Sequence, residues 1–208
     1  MPVKRINIES FLQLAKALPV FDVRSPGEYN HAHIPGSYNL PLFTDEERKV
    51  VGTAYKQQDR ETAIKIGLDF FGPKMRKMVE LAEEYLSQHI VGPTLSLSAL
   101  NKNNGEQNGQ KSIIIYCWRG GMRSAGVAWL LDLYGFDVYT LVGGYKTFRR
   151  EALNTFNQSF RFRILGGYAG SGKTNILNTM EKLGETIIDL EGIAHHKGSA
   201  FGAISMPA

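Results

Sequence analysis

The sequence predicts an α/β fold in which short buried strands alternate with helices. Three observations carry that expectation. Short apolar or β-branched runs recur at Ser112–Tyr116 (S-I-I-I-Y), Pro19–Val23 (P-V-F-D-V) and Asp137–Val142 (D-V-Y-T-L-V), the pattern of strands covered on both faces. Segments with helical spacing lie between them. A glycine-rich stretch, G-Y-A-G-S-G-K-T at Gly167–Thr174, stands between a strand-like run and a helix-like one.

The bulk numbers narrow the class. The 208 residues allow one domain or two small ones, and an apolar fraction of 43% is enough to build a core. A single cysteine forms no internal disulfide, which fits a reducing compartment. The start, M-P-V-K-R-I-N-I-E-S-F, has no apolar signal core, and no apolar run approaches the ~20 residues of a membrane span. The expectation is a soluble, cytoplasmic protein without a membrane partner. A net charge of +4 permits a polyanionic partner without requiring one.

Taken in order, Ile8–Ala17 has helical spacing (Ile8, Phe11, Leu12, Ala15), with Ser10 as an N-terminal cap. The strand Pro19–Val23 leads into D-V-R-S-P-G-E-Y at Asp22–Tyr29 and H-I-P-G-S-Y-N-L-P at His33–Pro41. Asp22, Arg24, Glu28 and His33 are expected to brace loops through buried hydrogen bonds. Residues 44–90 form a charged helical insertion, opened by Thr44 as N-cap with Glu47 three residues on. Met75, Met78, Val79, Leu81, Ala82 and Leu86 fall on one helical face and predict core. Lys74, Arg76 and Lys77 read as a solvated face. Residues 91–111 are rich in Asn, Gly, Gln and Ser, the composition of a polar loop.

The chemistry concentrates in Tyr116–Ser124, Y-C-W-R-G-G-M-R-S. Cys117 follows the strand Ser112–Tyr116 and precedes Ala125–Tyr134, which reads as a mostly buried helix. A strand-to-helix turn can point backbone N–H groups at an anion, and the helix start adds a partial positive charge. Arg119 and Arg123 add full charges, and all three effects favour thiolate over thiol. Gly120 and Gly121 remove side chains that would crowd a bound anion, with Trp118 and Met122 completing the loop. Cys117 is the candidate nucleophile.

Gly143-Gly144-Tyr145 ends the last strand of this half, and Tyr145–Arg163 joins it to the next. This joining segment interleaves Lys146, Arg149, Arg150, Arg161 and Arg163 with Phe148, Phe156, Phe160 and Phe162. Such a pattern can track phosphates and stack bases, and it equally describes an amphipathic helix followed by a strand. Phe160–Leu165 reads as that strand. In the glycine-rich stretch, Gly167, Gly170, Ser171 and Gly172 supply backbone N–H groups for a di- or triphosphate. Lys173 neutralises it and Thr174 can hold Mg²⁺. No other metal site is expected, since His195 and His196 are adjacent and make a poor pair. Asn175–Leu183 reads as the following helix with Gly184 as its stop, and Thr186–Leu190 as a second strand.

The D-V-R…E and H-I-P-G-S-x-N-x-P blocks, the cysteine loop and the closing Gly-Gly resemble the rhodanese family over about residues 5–150, with Ser37 where Ala is usual. More narrowly, C-W-R-G-G-M-R-S, V-G-T-A-Y-K-Q at Val51–Gln57, the P-loop and D-L-E-G at Asp189–Gly192 resemble bacterial tRNA 2-selenouridine synthases. The resemblance implies a rhodanese-like doubly wound parallel sheet over residues 1–150, with helices on both faces. The incomplete start of a P-loop α/β domain would follow over 151–208. It also implies an activity: wobble 2-thiouridine in tRNA is geranylated from geranyl diphosphate, then converted to 2-selenouridine with selenophosphate, with no tightly bound cofactor. Cys117 would then handle selenium, the loop Trp118–Arg123 the phosphate of selenophosphate, and Gly167–Thr174 the diphosphate of the geranyl donor.

Two features leave alternatives open. Five residues separate Cys117 from Arg123, where sulfur-transferring rhodaneses usually have four. The longer spacing is that of cysteine phosphatases and rhodanese-like dual-specificity phosphatases. The P-loop half also stops after strand, helix and strand, so residues 160–208 are expected to bury too little surface to be well ordered alone. A rhodanese-like phosphatase or sulfurtransferase, and a non-catalytic tRNA-binding fragment, remain the rival readings.

Overall fold

The computed structural model describes residues 3–89, 111–168 and 170–194. The chain divides into two compact units, Met1–Gln158 and Ser159–Ala208. The polar stretch 91–110 and the His195–His196 pair lie outside the described residues.

The first unit is a five-stranded parallel sheet, β1 (Lys4–Ile6), β2 (Val20–Asp22), β3 (Tyr38–Asn39), β4 (Ser112–Tyr116) and β5 (Asp137–Leu141), in the order β1-β5-β4-β2-β3. Among its helices, α1 (Ile8–Leu14) and α2 (Pro26–His31) follow β1 and β2. The insertion supplies α3 (Asp45–Gln57), α4 (Arg60–Phe71) and α5 (Met75–His89). Helix α6 (Met122–Tyr134) follows β4, and α7 (Gly144–Thr155) follows β5. Strand β4 has period-two alternation. Ile113, Ile115 and Cys117 join a core with Met78, Val79, Ala82 and Leu86 of α5 and Val127 and Leu131 of α6. Ile114 and Tyr116 join the opposite core with Ile8 and Phe11 of α1 and Tyr145 of α7. The sheet is therefore covered on both faces, which explains why its strands read as continuous apolar runs. No helix among the described residues is long and apolar enough to cross a membrane.

Topology places the site. After β2 the chain moves outward to β3, and after β4 it moves the other way to β5. The loops leaving these neighbouring strands diverge, opening a crevice at their carboxyl ends, where α/β sheets bind ligands. Asp22 and Arg24 lie on the β2 side of that crevice and Cys117 on the β4 side.

Several local expectations need correction. Asn7, not Ser10, caps α1, accepting from the Ser10 N–H at 2.9 Å. Strand β1 was not legible, being three residues long with two charges. Leu81 is 38% exposed because it lies about 120° around α5 from the buried stripe. Helix α6 begins at Met122, and its Trp129, Leu133 and Tyr134 face outward. The Thr44–Glu47 capping box forms as the sequence predicts.

In the second unit, α8 (Lys173–Lys182) and α9 (Leu190–Ile193) form, but neither Phe160–Leu165 nor Thr186–Leu190 is a strand. A strand needs a neighbour to take its backbone hydrogen bonds, and neither run has one among the described residues. None of the described residues from Ser159 to Ala194 is buried.

The first unit depends on one buried ion pair. Arg24 is 1% exposed, and its guanidinium donates to Asp22 at 2.6–3.0 Å and to the Ala32 carbonyl at 2.7 Å. The Tyr145 ring lies 4.3 Å from it. Replacing Arg24→Met strands the Asp22 carboxylate in the interior, so a loss of about 3–5 kcal/mol is expected in denaturant unfolding. A loss below about 1 kcal/mol would show that the pair does not organise the loops.

Candidate active site: the cysteine loop

Cys117 sits immediately after β4, 3% exposed, with its sulfur turned toward the start of α6. The Gly121 N–H donates to Sγ at 3.3 Å, and the Ser124 hydroxyl lies 3.3 Å from the same sulfur. Ser124 also reaches the Gly121 carbonyl at 3.0 Å. A hydroxyl has one proton, so these two contacts alternate. With a thiolate, Ser124 donates to sulfur. With a thiol, S–H donates to Ser124 Oγ and Ser124 donates to Gly121. One hydroxyl rotation thus accommodates both protonation states.

The loop is shaped by backbone packing from β5. Gly120 has φ +64°, and a Cβ there would lie 2.6 Å from the Leu141 carbonyl oxygen. Gly144 has φ +56°, and a Cβ there would stand 2.1 Å from the Cys117 carbonyl oxygen and 2.7 Å from the Gly120 nitrogen. Only glycine fits either position. The Tyr145 and Lys146 N–H groups donate to the Cys117 and Trp118 carbonyls at 2.9 and 3.1 Å. These two carbonyls are engaged by α7, and the Gly121 N–H is the backbone donor that reaches the sulfur.

The predicted loop residues occupy distinct places. Trp118 is half-buried, its ring 5.6 Å from Tyr145. Arg119, Gly121 and Met122 are exposed. Arg123 is half-buried on the first turn of α6 and donates to both carboxylate oxygens of Glu28, at 2.6 and 3.3 Å. That uses two of five guanidinium N–H donors. Glu28 is further held by Ser25 at 3.3 Å and faces Arg48 of α3 at 3.8 Å. Burial alone would raise the Glu28 carboxyl, but Arg123, Ser25 and Arg48 outweigh it and hold it below the ordinary carboxylate range.

Sequence reasoning missed three parts of this arrangement. Ser124 closed the quoted motif without a role. Gly143-Gly144 was taken only as a strand end. Glu28 was assigned to loop bracing, with no signal that it reaches a residue 95 positions away. His33 is exposed, so its bond to the Tyr29 carbonyl at 2.9 Å holds its own turn at the surface and is not the buried brace expected, while Ser37 donates to or accepts from the buried Tyr116 hydroxyl at 2.9 Å.

The P-loop residues belong to the second unit. Gly170 and Gly172 have φ near +78° and +79°, and Gly172 caps α8. Lys173 Nζ folds back on the Gly167 and Tyr168 carbonyls at 3.1 and 2.9 Å, and Ser171 Oγ donates to Tyr168 at 2.8 Å. Thr174 is exposed on the first turn of α8. Asp189 caps α9 through the Gly192 N–H at 3.0 Å.

A cysteine at the carboxyl end of a central parallel strand, in a loop packed against Gly143-Gly144, defines a class. The chain belongs to the rhodanese-like domain family, whose model matches residues 8–67 and 79–151. It is a homologue of the tRNA 2-selenouridine synthases, and a second model, described as the tRNA 2-selenouridine synthase AAA domain, matches residues 160–208. It is 34% identical over 194 residues to the tRNA 2-selenouridine synthase of Nitrosomonas europaea, covering 91% of this chain and 44% of that protein. It is 36% identical over 187 residues to that of Shewanella pealeana, covering 88% and 45%. The chain thus spans about half the length of the curated relatives it matches. A crystallised N-terminal domain from Clostridium difficile 630 is 38% identical, with a TM-score of 0.57, over 72% of this chain and 99% of that one.

The Glu28–Arg123 pair makes a pH prediction. Because the folded carboxyl is depressed, its stabilising contribution is present above the unfolded value of about 4.3. It is lost as pH falls through the lower folded value. Glu28→Gln is therefore expected to lose stability at neutral pH and to flatten the acid limb of the stability curve, read by urea unfolding from neutral pH downward. An acid limb identical to wild type would place the titrating group elsewhere.

Proposed function

We propose that this chain carries the selenium-transfer half of a tRNA 2-selenouridine synthase. The substrate would be the wobble 2-thiouridine of tRNA, alkylated with a geranyl group from geranyl diphosphate and then converted with selenophosphate. The observation that carries the proposal is the pairing, on one chain, of a rhodanese-type cysteine loop with a P-loop segment of the synthase type. Cys117 is the catalytic nucleophile. The loop Trp118–Arg123 receives the phosphate of selenophosphate through the α6 N-terminus and the remaining donors of Arg123. Gly167, Gly170, Ser171, Gly172, Lys173 and Thr174 take the diphosphate of the geranyl donor. Lys173 would exchange its loop carbonyls for phosphate oxygens. Thr174 offers one hydroxyl oxygen, a donor set suited to Mg²⁺ arriving with the diphosphate rather than to a resident ion.

Electron count favours attack at phosphorus. Selenium in selenophosphate is already at the selenide level, so moving it onto the cysteine as a perselenide would require a two-electron oxidant. Attack of the thiolate on phosphorus requires none. An S–P bond forms, the P–Se bond breaks with its electron pair on selenium, and water then releases phosphate. The five-residue spacing from Cys117 to Arg123 suits that tetrahedral group. The same spacing favours the second reading, a rhodanese-like cysteine phosphatase.

The test incubates the chain with selenophosphate and tRNA already bearing the geranylated base, with nucleoside mass spectrometry as readout. The expected result is 2-selenouridine, reduced at least about a hundredfold in Cys117→Ser, the scale on which loss of a nucleophile acts. Selenation at the wild-type rate in that variant would remove Cys117 from the mechanism. Turnover of an aryl phosphate without any selenation would favour the phosphatase.

A further inference from the structure

The outer face of α7 carries charges that the cysteine chemistry does not use. Lys146, Arg149 and Arg150 are all exposed. Their spacing places them on one stripe, opposite the buried Gly144 and Tyr145 and spanning about 6 Å of helix axis. No ion pair joins any of the three to an acid among the described residues. Three other basic positions of this unit are paired with acids instead. Arg76 pairs with Glu80 at 2.7 Å, Lys111 with Glu83 at 2.6 Å, and Lys74 with Glu47. Those are solvated faces of mixed sign, whereas the α7 stripe is cationic throughout.

Its position gives it a direction. The first turn of α7 is hydrogen-bonded to the cysteine loop through Lys146 N–H and the Trp118 carbonyl. Exposed Arg119 extends the positive charge onto that loop. At the other end, Leu153 continues the stripe, and the capping residue Phe156 is 80% exposed, leaving an apolar and aromatic surface after the cations. Cations in a row ending on an exposed ring suit a nucleic-acid strand, with phosphates along the charges and a base against the ring.

We propose that the outer face of α7 is an RNA phosphate-docking surface that leads the strand to the cysteine loop. The proposal rests on the reading of this chain as acting on tRNA. It adds where the backbone of the RNA lies. Lys146, Arg149 and Arg150 act on position and affinity and take no part in bond making.

The experiment measures binding of a labelled RNA stem-loop, transcribed without any modified base, to the whole chain at several salt concentrations. Wild type is expected to bind with a steep salt dependence. The triple variant Lys146→Ala, Arg149→Ala, Arg150→Ala is expected to bind at least about tenfold more weakly at low salt. Its slope of log K against log salt should be shallower by roughly 2–3, near one unit per lost phosphate contact. Arg149→Lys with Arg150→Lys keeps the charge and should keep binding. Unchanged far-UV dichroism and an unchanged Cys117 alkylation rate in the triple variant separate lost docking from lost folding. Equal binding by wild type and the triple variant would overturn the proposal. So would the same loss in Lys65→Ala, Lys77→Ala, or no RNA binding by wild type. Because the hairpin carries no thiolated base, failure of the selenation assay leaves this measurement intact.

Discussion

The carbonyl of Cys117 accepts the amide N–H of Tyr145, and the site depends on that bond. It ties the loop after β4 to the first turn of α7, across a gap that only a Gly144 without a side chain leaves open. With the Cys117 and Trp118 carbonyls drawn off to α7, the loop turns the Gly121 N–H toward the sulfur. The path of the loop around the sulfur therefore follows from where the backbone carbonyls are satisfied, before any charged side chain is considered. Arg123 then adds a guanidinium whose orientation is set by Glu28 from the first turn of α2, the helix after the neighbouring strand. The two loops come together because β2 and β4 are adjacent parallel strands whose connections diverge.

The same frame distinguishes two kinds of arginine. Arg24 is sealed beneath the loops, bonded to Asp22 and the Ala32 carbonyl and surrounded by Tyr116, Trp118 and Tyr145. Its charge organises the protein and is not available to a ligand. Arg123 is half-buried with donors to spare, which is the arrangement a phosphoryl group requires. The cations of α7 form a third set, outside both, with no ion-pair partner among the described residues.

Much of this was legible in the sequence because the signals are local. S-I-I-I-Y has the pattern of the buried strand it forms, Thr44 and Glu47 spell a capping box, and the strand-to-helix turn after the cysteine could be read from its flanks. What was hidden depends on distance along the chain. Glu28 meets Arg123 across 95 positions, and Gly144 meets Cys117 only because β5 lies beside β4. Strand β1 gains its identity from pairing with β5, not from its own three residues. The opposite error arose at Phe160–Leu165 and Thr186–Leu190. Their local pattern favours strands, but without a neighbour among the described residues there is no ladder to join.

On the proposed function, the loop around Cys117 is a preformed seat for a tetrahedral anion. The most direct measurement is the rate of Cys117 alkylation by iodoacetamide at neutral pH, titrated with inorganic phosphate. A seat predicts saturable protection at constant ionic strength, abolished in Gly144→Ala, where the added methyl collides with the Cys117 carbonyl. An alkylation rate that does not respond to phosphate, or responds equally to chloride, would contradict the account.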